Sequence, residues 1–247
     1  MKKIGYALLG MVWLGCGTPA AADDIVLYAY HLKPPYLIDR DRQSGLYYDL
    51  ARYLSEHVPG HTFKTVYLPR KRLETELENG RLHGLVIGVH PSWFRDAART
   101  RYLWSPPFMQ DEDVVVSRLS EPVQYDGPES LAGKHLGLSF GYYYFGVDEL
   151  VKTGRITRDD AVSEESSLDK LYRKRVDATI ITRRTFDYLL RQRSDWQQQF
   201  YVARKPHDAF ERMILIPREF SSAAPGISSA LAAILQDPNW QKTLRSH

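Results

Sequence analysis

Gly88, Ser92 and Arg95 are the residues of this chain whose types and spacing best support chemistry. They lie in the segment LVIGVHPSWFRDAARTRYLWSPPF, residues 85–108. Leu85-Val86-Ile87 reads as a buried strand that breaks at Gly88. Pro91 suits the first position of a helix, where its missing N–H is no loss. Ser92 can cap that turn through its hydroxyl. A strand running into a helix N-terminus presents free N–H groups and a dipole that favour an anion. Arg95 adds a planar fork of donors matched to a carboxylate. The pattern is a seat for a small anionic group. Two readings of Arg95 stay open, a ligand contact and a surface arginine beside Asp96 and Arg99, and Arg99 is the alternative clamp.

Tyr30 and Tyr36 flank the Pro34-Pro35 turn, and Gly141 is followed by Tyr142-Tyr143-Tyr144-Phe145. The second run fits either packing between two lobes or an aromatic wall offering its faces to a flat or cationic group. No metal-ligand spacing, Ser-His-Asp order or Gly-rich phosphate loop is present, and His90 is the one histidine placed near the Gly88 turn. The expectation is therefore no catalytic residue, no metal and no cofactor.

The elements that position these residues alternate between strand and helix. Strands are expected over residues 25–30, 62–68 and 82–88, with helices over 47–58 and 70–79 between them. A second series continues the alternation: strands at 113–117, 135–138 and 178–181, helices at 147–152, 167–174 and 182–193, strands at 200–203 and 213–216, and a helix at 226–235. Such an order implies parallel pairing with right-handed crossovers and a cleft at the strand ends.

The chain resembles the bacterial family 3 solute-binding proteins, periplasmic receptors that serve amino-acid ABC transporters. The resemblance rests on Gly88, Ser92 and Arg95 followed by Trp104-Ser105-Pro106-Pro107-Phe108, with three extra residues between. It also rests on Tyr30 with Pro34-Pro35-Tyr36, Gly45-Leu46 with Asp49-Leu50, Leu131-Ala132-Gly133-Lys134 and Val176-Asp177-Ala178. It implies an α/β fold of the two-lobed periplasmic binding protein type II, with two parallel-rich sheets flanked by helices and a two-strand hinge. The expected divisions are a signal peptide at 1–22, a first lobe at 23–112, a second lobe at 113–204 and a return to the first lobe at 205–247.

The implied ligand contacts are Tyr30, Tyr36, Ser92, Arg95, Gly141, Tyr142 and Thr182. Thr182 stands where relatives that bind α-amino acids carry an aspartate for the ligand amine, and Arg183 and Arg184 follow it. His83 and Tyr47 depart from the pattern in the same direction, each replacing a common aspartate. The implied ligand is a small polar carboxylate rather than an ordinary amino acid, with Asp148 and Glu149 as the acids available in place of that aspartate. The implied partners are that ligand and an ABC transporter permease in the inner membrane, for a monomer that binds no nucleic acid. A sensor partner of a membrane receptor is the alternative, and a small-carboxylate lyase or dehydratase a third reading.

Lys2 and Lys3 precede an apolar run from Ile4 to Leu14, and Ala20-Ala21-Ala22 offers a small-residue cleavage site. Those two lysines account for most of the formal net charge of +3, so the remaining chain is nearly neutral. Basic clusters at 70–72 and 170–175 carry acids nearby and read as solvated helix faces, not nucleic-acid patches. Cys16 is the sole cysteine and lies in the segment expected to be removed. A disulfide framework is excluded by that count. Periplasmic material should have an intact mass that begins at Asp23; a diacylglyceryl group on Cys16 would make the protein membrane-anchored instead.

Overall fold

The computed structural model describes residues 23–247; the expected signal peptide and Cys16 lie outside them. β1 (Asp23–Ala29), α1 (Leu46–His57), β2 (His61–Tyr67), α2 (Arg70–Glu78) and β3 (Leu85–Val89) form the first βαβαβ series. β1 pairs in parallel with both β2 and β3. A short strand, β4 (Leu103–Trp104), precedes the long β5 (Met109–Arg118). The second series is β6 (His135–Ser139), α3 (Val147–Lys152), β7 (Thr157–Ala161), α4 (Glu164–Tyr172) and β8 (Ala178–Thr182), then α5 (Arg183–Gln192) and β9 (Phe200–Val202). β6 is parallel to both β7 and β8. The chain returns through β10 (Asp208–Ile216) and ends in α6 (Ala224–Ile234) and α7 (Pro238–Ser246).

The strand order is β2-β1-β3-β10-β5-β8-β6-β7, with β4 beside β10 and β9 beside β5. β5 and β10 are the crossing strands. They pair antiparallel over 109–113 and 208–212. Beyond that ladder, β5 continues against β8 in one lobe and β10 against β3 and β4 in the other. The expected strands at 113–117 and 213–216 are thus the outer halves of two longer ones.

Both faces of each lobe are covered by helices. β3 and β8 are consequently buried along their whole length, as apolar runs in parallel sheets are. α1 turns Leu46, Tyr47, Leu50, Ala51 and Leu54 inward. Each such leucine contributes roughly 2 kcal/mol by leaving water.

Two expectations change near the proposed anion seat. β3 does not stop at Gly88: the residue has φ +76° and forms a bulge against Met213 and Ile214. Only glycine fits, because a Cβ there would lie 1.8 Å from the Tyr47 hydroxyl. The next element is a four-residue 3-10 turn, Pro91–Phe94, rather than an α-helix. Its cap is the His90 ring, which accepts from the Ser92 N–H at 3.4 Å. Farther along the chain, Thr157–Ala161 lacks apolar alternation yet forms the edge strand β7, which the pattern did not signal.

The three extra residues after Arg95 are absorbed by Asp96, which is 2 % exposed. Its carboxylate accepts from the Thr100, Arg101 and Tyr102 N–H groups at 2.8, 3.0 and 3.1 Å and from the Trp104 indole at 2.8 Å. Burial raises its pKa, but these bonds outweigh burial and bring it down to about 2. The stabilisation is therefore complete above the ordinary aspartate range near 4 and is lost as the pH falls through about 2. Asp96→Asn should cost about 2 kcal/mol at neutral pH. In urea melts the gap from the parent protein should narrow steadily between about pH 4 and pH 2.

Candidate functional site

Two pairs of parallel strands, β1 with β3 and β6 with β8, end at one place between the lobes. The chain leaves β1 at Tyr30 and His31, β3 at His90, and β6 just before Gly141, and β8 ends at Thr182; all five residues line one cleft. Its volume is about 780 Å³. Glu74 and Arg70 from α2, Ser92, Trp93 and Arg95 at the 3-10 turn, Tyr142 to Phe145 after β6, Asp208 to Phe210 with Arg212 from β10, and Lys33, Asp113 and His207 complete the wall.

Six of the seven expected contacts therefore meet there: Tyr30, Ser92, Arg95, Gly141, Tyr142 and Thr182. Tyr36 does not reach it. Its ring is fully buried behind the wall, and its hydroxyl, held neutral by burial, donates to Asp111 and accepts from Arg212 Nη2 at 3.2 Å. Arg95 adopts a left-handed conformation, φ 52°, at the end of the 3-10 turn. Arg95 is exposed and borders the cleft, and its guanidinium has no hydrogen-bond or ion-pair partner among the described residues. Arg99 is exposed and does not line the cleft, because the Asp96 loop carries it away. Trp104 is tied to Asp96 and likewise stays outside. Asp148 and Glu149 are no part of the wall either: Asp148 pairs with Arg158 at 2.6 Å, and Glu149 accepts from the Tyr143 hydroxyl.

Several residues of the site gave no signal in the sequence. Arg70 reaches over the Tyr30 ring, its guanidinium carbon 4.9 Å from the centroid. It donates to the Tyr30 hydroxyl, to Glu74 and to the Trp93 carbonyl, each at 2.9 Å, and so fixes two aromatic walls at once. Trp93 in turn meets Phe210 edge to face, centroids 4.8 Å apart. Three histidines, His31, His90 and His207, line the cleft where only His90 was expected. Burial lowers the pKa of each; for His31, Arg212, Lys33 and Arg70 lower it further.

Arg212 is the floor of the site. It is 1 % exposed, and its Nε donates to Asp111 at 2.8 Å across the crossing strands. Nη1 donates to the Gly88 carbonyl at 2.9 Å and lies 3.4 Å from both the Tyr47 hydroxyl and His31 Nε2. A guanidinium only donates, so His31 Nε2 accepts and the neutral ring carries its proton on Nδ1. That Nδ1 is buried and has no partner among the described residues.

No family model and no curated protein matches the chain. Solved structures do. An ancestral arginine-binding protein bound to arginine aligns with TM-score 0.70 and 15% identity, over 92% of this chain and 98% of that one. The substrate-binding protein of an amino acid ABC transporter gives 0.65 and 16%, over 89% and 96%. The GluR0 ligand-binding core from Nostoc punctiforme, in complex with L-glutamate, gives 0.68 and 15%, over 88% and 95%. The chain thus has the two-lobed periplasmic binding protein fold, with its cleft between the lobes. Among the described residues no helix is long and apolar enough to cross a membrane.

Arg212→Ala should destabilise the protein by about 3–5 kcal/mol, since Asp111 is left as a buried, uncompensated charge. The paired replacement Arg212→Met with Asp111→Leu should recover much of that loss in urea denaturation.

Proposed function

We propose that the chain is a periplasmic solute-binding protein that captures a small carboxylate-bearing solute between its lobes. The observation that supports this most is a cleft of about 780 Å³ at the C-terminal ends of β1, β3, β6 and β8, bordered by Arg95, which has no ion-pair partner among the described residues, and by His31, whose Nδ1 has no hydrogen-bond partner among them. Arg95 takes the carboxylate as a charge-assisted fork, and Ser92 adds its hydroxyl from the same turn. Tyr30, Trp93 and Tyr142 enclose the rest of the solute. Gly141 lets the Tyr142 turn approach, with φ +76°. Rotation of a lobe at 23–112 and 205–247 against one at 113–204, about the paired strands β5 and β10, closes the cleft.

Delivery to an ABC transporter permease, after export by the signal peptide, is the role that the likeness to a transporter's substrate-binding protein supports. The protein acts by binding rather than catalysis: its aligned neighbours carry binding names. A receptor-linked sensor role draws support from the GluR0 ligand-binding core among the same neighbours.

Mass spectrometry of solute released from natively purified protein identifies the ligand class. With that solute in calorimetry, Arg95→Ala should weaken binding by about 2 kcal/mol or more, roughly thirtyfold in Kd. Arg99→Ala should leave it nearly unchanged. A reversal of the two effects would move the clamp to Arg99.

A further inference from the structure

One wall of the cleft is already occupied by the chain itself. Three oxygen-bearing side chains of the second lobe meet at that wall: Thr182 at the end of β8 and Asp113 on β5 line the cleft, and Glu164 from the first turn of α4 lies buried beside Thr182. Thr182 Oγ1 lies 2.9 Å from Asp113 Oδ1 and 3.2 Å from Glu164 Oε1. Such a cluster receives a cation, and the cation is Lys33, from the turn after β1 in the first lobe. Its ammonium pairs with Glu164 and donates to Thr182 Oγ1 at 2.5 Å. Lys33 is 9 % exposed and Glu164 5 %. The Tyr142 ring covers the ammonium at 5.6 Å, and Thr185 Oγ1 donates to the Pro34 carbonyl at 2.6 Å, a second bond between the lobes beside the first.

The remaining charges of the cleft are divided unevenly. Glu74 is paired with Arg70, and Asp208 lies at the exposed start of β10 with its carboxylate accepting from the Ala209 N–H. On the donor side, Arg95 and the His31 Nδ1–H stand without partners among the described residues. Asp113 and Asp208 carry no ion-pair partner among the described residues, whereas the deepest acid, Glu164, is already paired with Lys33 through one of its two oxygens.

We propose that Lys33 is a tethered ammonium that occupies the cation subsite of this cleft, ties the lobes together where a ligand's amino group would, and thereby selects carboxylates without a cationic group over α-amino acids. The selectivity rests on the solute-binding reading above; the tie between the lobes does not. A ligand ammonium would have to compete with an intramolecular one held at high effective concentration. Success would strand Lys33, a buried charge without its partner.

The test compares the parent protein with Lys33→Met, and with Lys33→Met/Glu164→Gln, which removes both charges should the single variant fold poorly. X-ray scattering without added solute should give a compact parent and a larger radius of gyration for both variants. An unchanged radius in the folded variants overturns the tie. Thermal shift and calorimetry then use matched probes: glutarate against L-glutamate, succinate against L-aspartate, and 3-phenylpropionate against L-phenylalanine. In at least one pair the parent should bind the amine-free member tenfold or more tightly, and Lys33→Met should narrow or invert that ratio. A parent that binds both members of its pair equally, or the amino member better, overturns the selectivity. A parent that none of the six shifts counts against the solute-binding reading, while scattering still decides the tie.

Discussion

The buried guanidinium of Arg212 is the constraint from which the rest of the first lobe derives. A charge that deep is tolerated only when its donors are met and a carboxylate offsets it. Asp111 supplies the carboxylate from the partner crossing strand, and Gly88, Tyr36 and Tyr47 supply the other oxygens. Each of those partners then fixes something else. Gly88 must turn its carbonyl inward, which places a positive φ and a bulge in β3. The bulge brings the backbone so close to the Tyr47 hydroxyl that no side chain fits, so the glycine and the tyrosine are required together. Tyr47, at the start of α1, is thereby explained as a strut under the cleft floor.

The same ion pair joins the two crossing strands at the end of their ladder nearest the first lobe. Asp111 faces Phe210 in the register, and Arg212 faces Met109. Any rotation of the lobes must leave this pair intact, because water does not reach it to solvate the separated charges.

The legible part of the sequence was local. Apolar runs and their turn signals give most elements within a few residues, because burial on both faces of a parallel sheet leaves a continuous apolar signature. β7 escaped because Thr157-Arg158-Asp159-Asp160-Ala161 is an edge strand with Ala161 alone buried. Ser92 and Arg95 do border the cleft, although by a 3-10 turn and a bulge rather than by a helix N-terminus. Tyr36 was misplaced because an aromatic beside a proline turn reads the same whether it faces the cleft or the floor. The ion pairs could not be read at all. Arg212 and Asp111 are 101 positions apart, Lys33 and Glu164 131, and a charge leaves no periodic trace of a partner so distant.

Those two pairs are alike in burial and opposite in consequence. Arg212 and Asp111 lie on strands hydrogen-bonded to one another, so separating them means breaking the ladder that joins the lobes. Lys33 and Glu164 sit on elements that share no ladder, so an opening of the cleft would separate them and admit water to both. Solvation then offsets much of what the pair loses, as it cannot for charges that stay buried when parted. In such an opening the first pair would stay as a fixed pivot and the second would be the contact broken, because one lies on the paired crossing strands and the other does not.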